Sequence, residues 1–405
     1  MTTLLQYLKS AGKLVNIFLL IVVTFVYAMF QGGFVSWFLF YSFIPFGLYS
    51  FFLSLYSLKD FEVRRLTNNT EYVAGERFEA TITIKRKIPF PLMYVIAEEL
   101  LPPQLQKCEQ SKKSKVILFP WFKRNLTYQY VFDAIPRGEH ILEGVRIKTG
   151  DLFGLIEKEL VYPIHEEFLI YPQYVDIVYR QLENRFEQGM TSSNVRLQRD
   201  TAIAIGVRDY KPGDRFSWID WKASARKNDI MTKEFEQQQS HDVVIFMDRS
   251  KSMQFEQVVT FTASLARAIL KKGAQLSFLS IGEDQSIYPL RSGETQQQLI
   301  YYHLAKVKDN STISFSQIVE SEIKKIYQPV TFMLVTNKLS FDMIHMVGRF
   351  SMRNADLMLF VVKEKSTQLS AEEREVLDTV RRHNVFVKVV YEGHYGDVFF
   401  EVSKS

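Results

Sequence analysis

The spacing of hydrophobic and polar positions changes twice along the chain. From Leu14 to Phe30 no charged residue occurs, and Asn16 is the main polar interruption. After Gln31-Gly32-Gly33 a second uncharged run extends from Phe34 to Leu58. About 20 mostly apolar residues, and no fewer than about 17, carry a helix across the hydrocarbon core of a bilayer. In lipid each run must close its own backbone hydrogen bonds, so both are expected to be helical, with Pro45 kinking the second. The short uncharged link predicts a two-helix transmembrane hairpin over 1–59. Two buried core helices are a poorer reading, because neither run has a polar face.

Charge at the flanks sets the expected orientation. Lys9 and Lys13 precede the first run, Lys59, Arg64 and Arg65 follow the second, and the link carries no cation. The positive-inside bias then places both ends, and everything after Lys59, in the cytoplasm. A cleaved signal peptide is disfavoured, since a second apolar run follows at once and no small-residue cleavage site is evident.

Beyond Lys59 the period drops to two. Phe78, Ala80, Ile82 and Ile84 alternate with Glu79, Thr81, Thr83 and Lys85, and Leu126, Tyr128, Tyr130 and Phe132 alternate with Asn125, Thr127 and Gln129. Gly75, Pro89, Pro91, Pro102-Pro103, Pro120, Pro136 and Gly138 punctuate the stretch at strand-like intervals. This predicts an antiparallel β-sandwich over 60–172. Its basic clusters, Lys85-Arg86-Lys87 and Lys112, Lys113 and Lys115, read as solvated loops with some attraction for anionic lipid. A linker over 173–240 follows.

From His241 strands and helices alternate. Val243 to Met247 is apolar throughout, as a strand buried on both faces requires. Phe255 to Lys272 has helical spacing, and Leu299 to Val307 reads as the later part of a helix. Further strands are expected at Leu276–Ile281, Val330–Val335, Leu357–Val362 and Val385–Val390. The pattern predicts a doubly wound, mostly parallel α/β domain over 241–405, with its ligand site beyond the carboxyl ends of the strands.

Composition narrows the function classes. The 405 residues suggest two or three domains, and 47% hydrophobic with 14% aromatic residues excludes a wholly disordered chain. A net charge of +5 is too small at this length to imply nucleic acid. The single cysteine, Cys108, rules out an intramolecular disulfide, a cysteine zinc cluster and a Cys-x-x-Cys pair. No P-loop, His-Glu-x-x-His or Gly-x-Ser-x-Gly element occurs, no small-molecule substrate is indicated, and a non-catalytic protein is expected.

The first buried strand ends at Asp248-Arg249-Ser250-Lys251-Ser252. One carboxylate and two hydroxyls at a strand-to-helix turn suit a hard divalent cation, most simply Mg²⁺. Two readings compete with it: a metal-free remnant that still forms an interaction surface, and simple capping, since Asp and Ser are favoured helix N-caps. This half of the chain resembles von Willebrand factor A domains, whose metal-ion-dependent adhesion site carries the Asp-x-Ser-x-Ser pattern. The resemblance implies a second-loop ligand at Thr312, in Asp309-Asn310-Ser311-Thr312, with Ser311 as the lesser candidate. It also implies a third loop at Thr336-Asn337, where Asn337 stands in place of the usual Asp. Loss of that formal charge predicts weaker cation binding.

Between the soluble parts lie Arg208-Asp209-Tyr210-Lys211-Pro212-Gly213-Asp214 and Ile219-Asp220-Trp221-Lys222-Ala223-Ser224-Ala225-Arg226. Pro212-Gly213 reads as a turn with Asp214 capping the helix that follows, and Trp218, Trp221 and Ala225 as one helical face against the core. Arg208, Asp214, Lys222 and Arg226 are left for ion pairs or a partner. With Arg137-Gly138 and Gly150-Asp151-Leu152-Phe153-Gly154-Leu155, these motifs resemble the bacterial domain-of-unknown-function family fifty-eight over nearly the whole chain. That resemblance implies an adaptor or assembly factor acting with a MoxR-type AAA+ ATPase at the cytoplasmic membrane. A bridge through a cation to a partner's acidic group is the expected mechanism. An envelope hydrolase or acyltransferase, and an extracytoplasmic adhesin, are the alternatives.

Overall fold

Glycine at the Gln31–Gly33 link is a conformational requirement, since Gly32 and Gly33 take φ of +60° and +91°. The link joins helix α1 (Thr2–Gln31) to helix α2 (Phe34–Leu55), and α2 continues through Pro45. The computed structural model describes residues 2–69, 71–179, 204–211, 214, 216–235, 242–326, 330–351, 357–365, 367–383, 385–396 and 398–399. Among these residues α2 is long and apolar enough to cross a membrane, while the apolar part of α1, Phe18–Gln31, is shorter. The Phe25 ring meets Trp37 and Phe40, and a Cβ at Gly47 would come within 2.8 Å of the Ile21 side chain, so α1 approaches α2 closely there. Only Ser36, Gly47, Ser50 and Leu53 of α2 are buried, so most of its apolar surface faces outward.

The chain divides into two compact units, Met1–Gln173 with Leu304–Val307, and Tyr174–His303 with Lys308–Ser405. After the helices, the first unit builds β1 (Phe61–Thr67), β2 (Tyr72–Val73), β3 (Phe78–Arg86), β4 (Val95–Glu99), the single turn α3 (Pro103–Gln106), β5 (Lys115–Leu118), β6 (Asn125–Phe132), β7 (Gly138–Gly150) and β8 (Glu157–Tyr171). They form two sheets, β1-β3-β6 and β2-β8-β7-β4-β5, antiparallel except where β2 meets β8. Alternation along β3 buries Phe78, Ala80, Ile82 and Ile84, and β6 buries Leu126, Tyr128, Tyr130 and Phe132. Residues of both sheets share one apolar core, with Phe78 against Phe132 and Phe168 near its centre. Arg65, a flanking cation by sequence, is instead inside this domain, where its guanidinium pairs with Glu99 and Glu166.

The second unit opens with the antiparallel pair β9 (Ala204–Asp209) and β10 (Met231–Phe235), which bracket helix α4 (Trp221–Lys227). It continues as β11 (Val243–Met247), α5 (Phe255–Lys271), β12 (Leu276–Ile281), β13 (Gln285–Arg291), α6 (Glu294–Lys306), α7 (Phe315–Ile323), β14 (Thr331–Thr336), α8 (Phe341–Ser351), β15 (Leu357–Lys363), α9 (Ala371–Arg382) and β16 (Phe386–Tyr391). The six-stranded sheet runs β13-β12-β11-β14-β15-β16, parallel except for β13. Every residue of β11 is buried, as its unbroken apolar run demands. Strand order reverses between β11 and β14, and ligands of doubly wound folds bind at that crevice. Antiparallel β13 alternates exposed and half-buried positions, because it is an edge strand, and Pro289 interrupts it.

Candidate functional site

Asp248 follows β11 directly, and its backbone N–H donates to the Val335 carbonyl of β14 across the switch point. Its buried carboxylate accepts on both oxygens, from the Ser250 N–H at 2.8 Å and from the Thr336 hydroxyl at 2.6 Å. Thr336 is itself held by the Lys338 N–H at 3.1 Å. The carboxylate is therefore fixed in direction rather than free to turn.

The neighbouring loops close on this residue. Ser252 accepts the Gln254 N–H at 3.1 Å on its hydroxyl, and its own N–H donates to Asp309 at 3.3 Å. The Asn337 amide nitrogen donates to the Ser252 hydroxyl. Ser250 bridges Ser311 in parallel fashion, and the Ser311 N–H donates to the Arg249 carbonyl at 3.0 Å. Thr312, next along, is exposed. Asp248, Ser250, Ser252 and Asn337 thus meet on one rim, and Ser311 and Asp309 are the second-loop residues bonded to it. The Asn337 amide occupies a lone pair of Ser252 that a bound cation would need, and Asp309 brings a second carboxylate beside that loop. No group of three or more His, Cys, Asp or Glu capable of holding a metal occurs among the described residues.

Sequence reasoning passed over Arg249, the variable position of the Asp-x-Ser pattern. Its side chain is 2% exposed and donates to the Lys308 carbonyl at 2.9 Å and to the Asn310 side-chain oxygen at 2.7 Å. It also pairs with Asp284 at 2.7 Å, in the turn between β12 and β13. That guanidinium holds the Asp284 carboxyl down at about 2. One arginine so ties three loops around the rim. Gly282 is part of the fit, because a Cβ there would lie 2.4 Å from Asn310 and 2.6 Å from the guanidinium carbon.

The hallmark segment forms its own small structure. Arg208 on β9 grips Asp214 with two bonds, at 2.8 and 2.7 Å, and Asp214 also accepts the Lys211 N–H at 3.0 Å. The Arg208 hydrogen bonds hold the Asp214 carboxyl down at about 2. Among the described residues no helix N–H donates to Asp214. Asp220 caps α4, accepting the Lys222 and Ala223 N–H groups at 3.0 Å, and Ser224 fastens α4 to β10 through the Met231 N–H. The expected inward aromatic face is also corrected: α4 buries no residue, and Trp221 is 70% exposed beside exposed Lys222 and Arg226. The segment buries Ile219, Met231 and Thr232 instead, and the α4 face that carries Trp221 is left outside. Pro212 and Gly213 lie outside the described residues.

These features define a multidomain α/β protein whose doubly wound domain gathers carboxylate and hydroxyl side chains at its switch point. The chain belongs to the bacterial family described as "Protein of unknown function DUF58", which matches residues 206–390. It is 37% identical over 395 residues to the "Uncharacterized protein YeaD" of Bacillus subtilis (strain 168), covering 97% of this chain and 98% of that one. Two solved structures share parts of the chain. Proximal thread matrix protein 1 of the mussel byssus aligns at TM-score 0.29 and 10% identity, over 40% of this chain and 46% of that one. The sporulation control protein Spo0M of Bacillus subtilis aligns at TM-score 0.15 and 13% identity, over 27% and 49%. The chain spans about half the length of either, and a likeness at such scores carries no argument.

Proposed function

We propose that this chain is a membrane-anchored adaptor whose doubly wound domain captures an acidic group of a protein partner at the rim around Asp248. The observation that carries this reading is the convergence of Asp248, Ser250 and Ser252 with Asp309 at the switch point, ringed by exposed Lys251, Lys308 and Lys338. Lysines around a polar rim favour an acid on the other side of the interface. The sheet order with its antiparallel edge supports a von Willebrand factor A-like reading of the domain. The donor set is all oxygen, which fits a hard cation in kind. Asp248, Ser250 and Ser252 would hold Mg²⁺ once the Asn337 amide turned away from the Ser252 hydroxyl, with Asp309, Thr312 and Asn337 on the flanking loops. The ion would supply an open coordination position for the partner's carboxylate.

No covalent chemistry is assigned to the rim. In this reading α1 and α2 form a two-pass hairpin in the cytoplasmic membrane, with the β-domain and the second unit on its cytoplasmic side. The partner is a MoxR-type AAA+ ATPase, as the family resemblance implies. Lys222, Arg226 and Trp221 offer a second contact, whereas Arg208 and Asp214 already satisfy each other.

Affinity capture from detergent-solubilised membranes, with Mg²⁺ and with chelator in parallel, tests the mechanism. An AAA+ ATPase should co-purify and be lost severalfold both on chelation and in Asp248→Asn. Loss in Asp248→Asn alone would leave a cation-independent rim. Capture unchanged by either treatment would discard the acid-capture mechanism.

A further inference from the structure

The Gly150-Asp151-Leu152-Phe153-Gly154-Leu155 motif plays no part in the proposed capture of an acid. It sits between β7 and β8 and grips α2 well inside that helix. Phe153 packs edge-on against Phe46 at 5.2 Å, and the buried Asp151 carboxylate accepts the Ser50 hydroxyl at 2.8 Å and the Ile156 N–H at 3.0 Å. A second loop grips the same helix. Phe90 stacks on Tyr49 at 5.9 Å and on Tyr56 at 5.1 Å. Buried Arg86 then ties that loop to the next, donating to the carbonyls of Phe90, Trp121 and Lys123.

These contacts conflict with a β-domain held clear of the bilayer. The 22 residues of α2 measure about 33 Å at 1.5 Å each, barely more than the roughly 30 Å hydrocarbon core. Ser50 lies about 8 Å and Phe46 about 14 Å from the last residue of the helix, whereas an interfacial zone is only about 5–8 Å deep. A helix that crosses the core therefore carries its partners at Phe46 below the membrane surface.

The side chains at those loop tips match such a place. Leu152 and Phe153 on one loop, Ile88 on the second, and Phe119, Trp121 and Phe122 on the third are each more than half exposed. Trp121 takes a φ of +48°, a backbone state unfavourable for a bulky residue and one that marks this tip as specially held. Exposed Lys87, Lys123 and Arg124 flank the aromatic tip. Aromatic rings with adjacent long cations are the usual composition at a headgroup boundary. Asp151, the acid bonded to Ser50, has both oxygens taken by protein donors and so needs no water.

We infer that the β-domain is seated in the bilayer, with Leu152 and Phe153 immersed at the edge of the hydrocarbon and Trp121 and Phe122 in the adjoining headgroup layer. The occupant of this apolar apron is lipid, and the inference rests on the reading of α2 as a membrane-crossing helix. The Asp-x-Phe-Gly-Leu motif then works as a collar that fixes the depth of α2.

Nitroxide labels test it in the full chain reconstituted into phosphatidylcholine–phosphatidylglycerol vesicles, in a Cys108→Ser background. Labels are placed singly at Leu48→Cys on α2, at Leu152→Cys and Phe122→Cys on the tips, and at Ile141→Cys on β7. Ile141 is exposed and about 30 Å along its strand from Gly150, so it reports water. Collision with oxygen relative to a water-soluble nickel chelate should be severalfold higher at Leu48, Leu152 and Phe122 than at Ile141. A lipid-facing Leu48 with either tip as accessible to nickel as Ile141 would overturn the seating and leave the anchor intact. A water-facing Leu48 would overturn the membrane crossing itself, and the seating with it.

Discussion

Replacing Arg249 by methionine isolates the device that holds the rim together. Methionine fills most of the space but donates nothing. The Lys308 carbonyl and the Asn310 side-chain oxygen then lose charge-assisted bonds of 2.9 and 2.7 Å at a side chain that is 2% exposed. These acceptors are part-buried, so each one left unmade costs about 1–2 kcal/mol, in the lower part of the range for a buried group. The pairing with Asp284 adds little, because that carboxylate is 57% exposed and screened by water. The expected loss is about 2–4 kcal/mol, or about 5–15 °C in the unfolding of a domain of this size. Calorimetry of the detergent-purified chain reads the second unit's transition, and hydrogen exchange reads residues 282–284 and 308–311. Both should respond, with exchange rising at those loops first. Arg249→Lys keeps the charge but not the fork and should fall between the two. A loss under about 1 kcal/mol, or unchanged exchange in both loops, would refute the role given to this arginine.

The pH dependence of the hallmark turn has a definite sign. Asp214 titrates at about 2 when folded, against an ordinary 3.8, so its pairing stabilises the fold above about pH 4 and is lost as pH falls through 2. Arg208→Gln should move the acid-unfolding midpoint of this segment upward, and coincident titrations of Trp fluorescence in variant and wild type would contradict it. Arg65→Met leaves Glu99 buried without its cation and should cost about 3–5 kcal/mol in the first unit's transition, while Arg65→Met with Glu99→Leu should recover much of it. Gly282→Ala presses a methyl toward Asn310 and should lower the second unit's stability by about 1–3 kcal/mol, whereas an unchanged melting curve would mean that the loop yields freely. Ser50→Ala leaves the Asp151 carboxylate short of one donor and should destabilise the first unit by about 1–3 kcal/mol in the same calorimetric scan.

Residues whose surroundings are uniform were the ones most legible in the sequence. Val243–Met247 is apolar at every position because helices cover both faces of β11, so pattern and burial coincide. The alternation in β3 coincides with burial for the same reason, with one face on the core. What stayed hidden depends on pairings between distant residues. Arg249 lies 35 residues from Asp284 and 61 from Asn310, and nothing local in Asp-Arg-Ser distinguishes a latch from a solvated side chain. Asp309 lies in the predicted second loop, yet its carboxylate meets the Ser252 N–H 57 residues away while Thr312 stays exposed. Trp221 shows the opposite failure: aromatic residues at helical spacing indicate a buried face only when a core stands beside the helix. Asp214 and Asp220 are both sound caps by type, and only the bidentate hold of Arg208 decides between them.

Met253 is fully exposed beside Ser252, at the lip of the rim, and so offers a position for a photo-activatable phenylalanine analogue that disturbs nothing buried. Irradiation of cells carrying that analogue asks directly whether a partner docks there. Capture of an acidic group predicts one dominant protein adduct at Met253, strongly reduced when Asp248→Asn is present in the same chain. An adduct of equal yield with Asp248→Asn, or none while the partner still co-purifies, would contradict it.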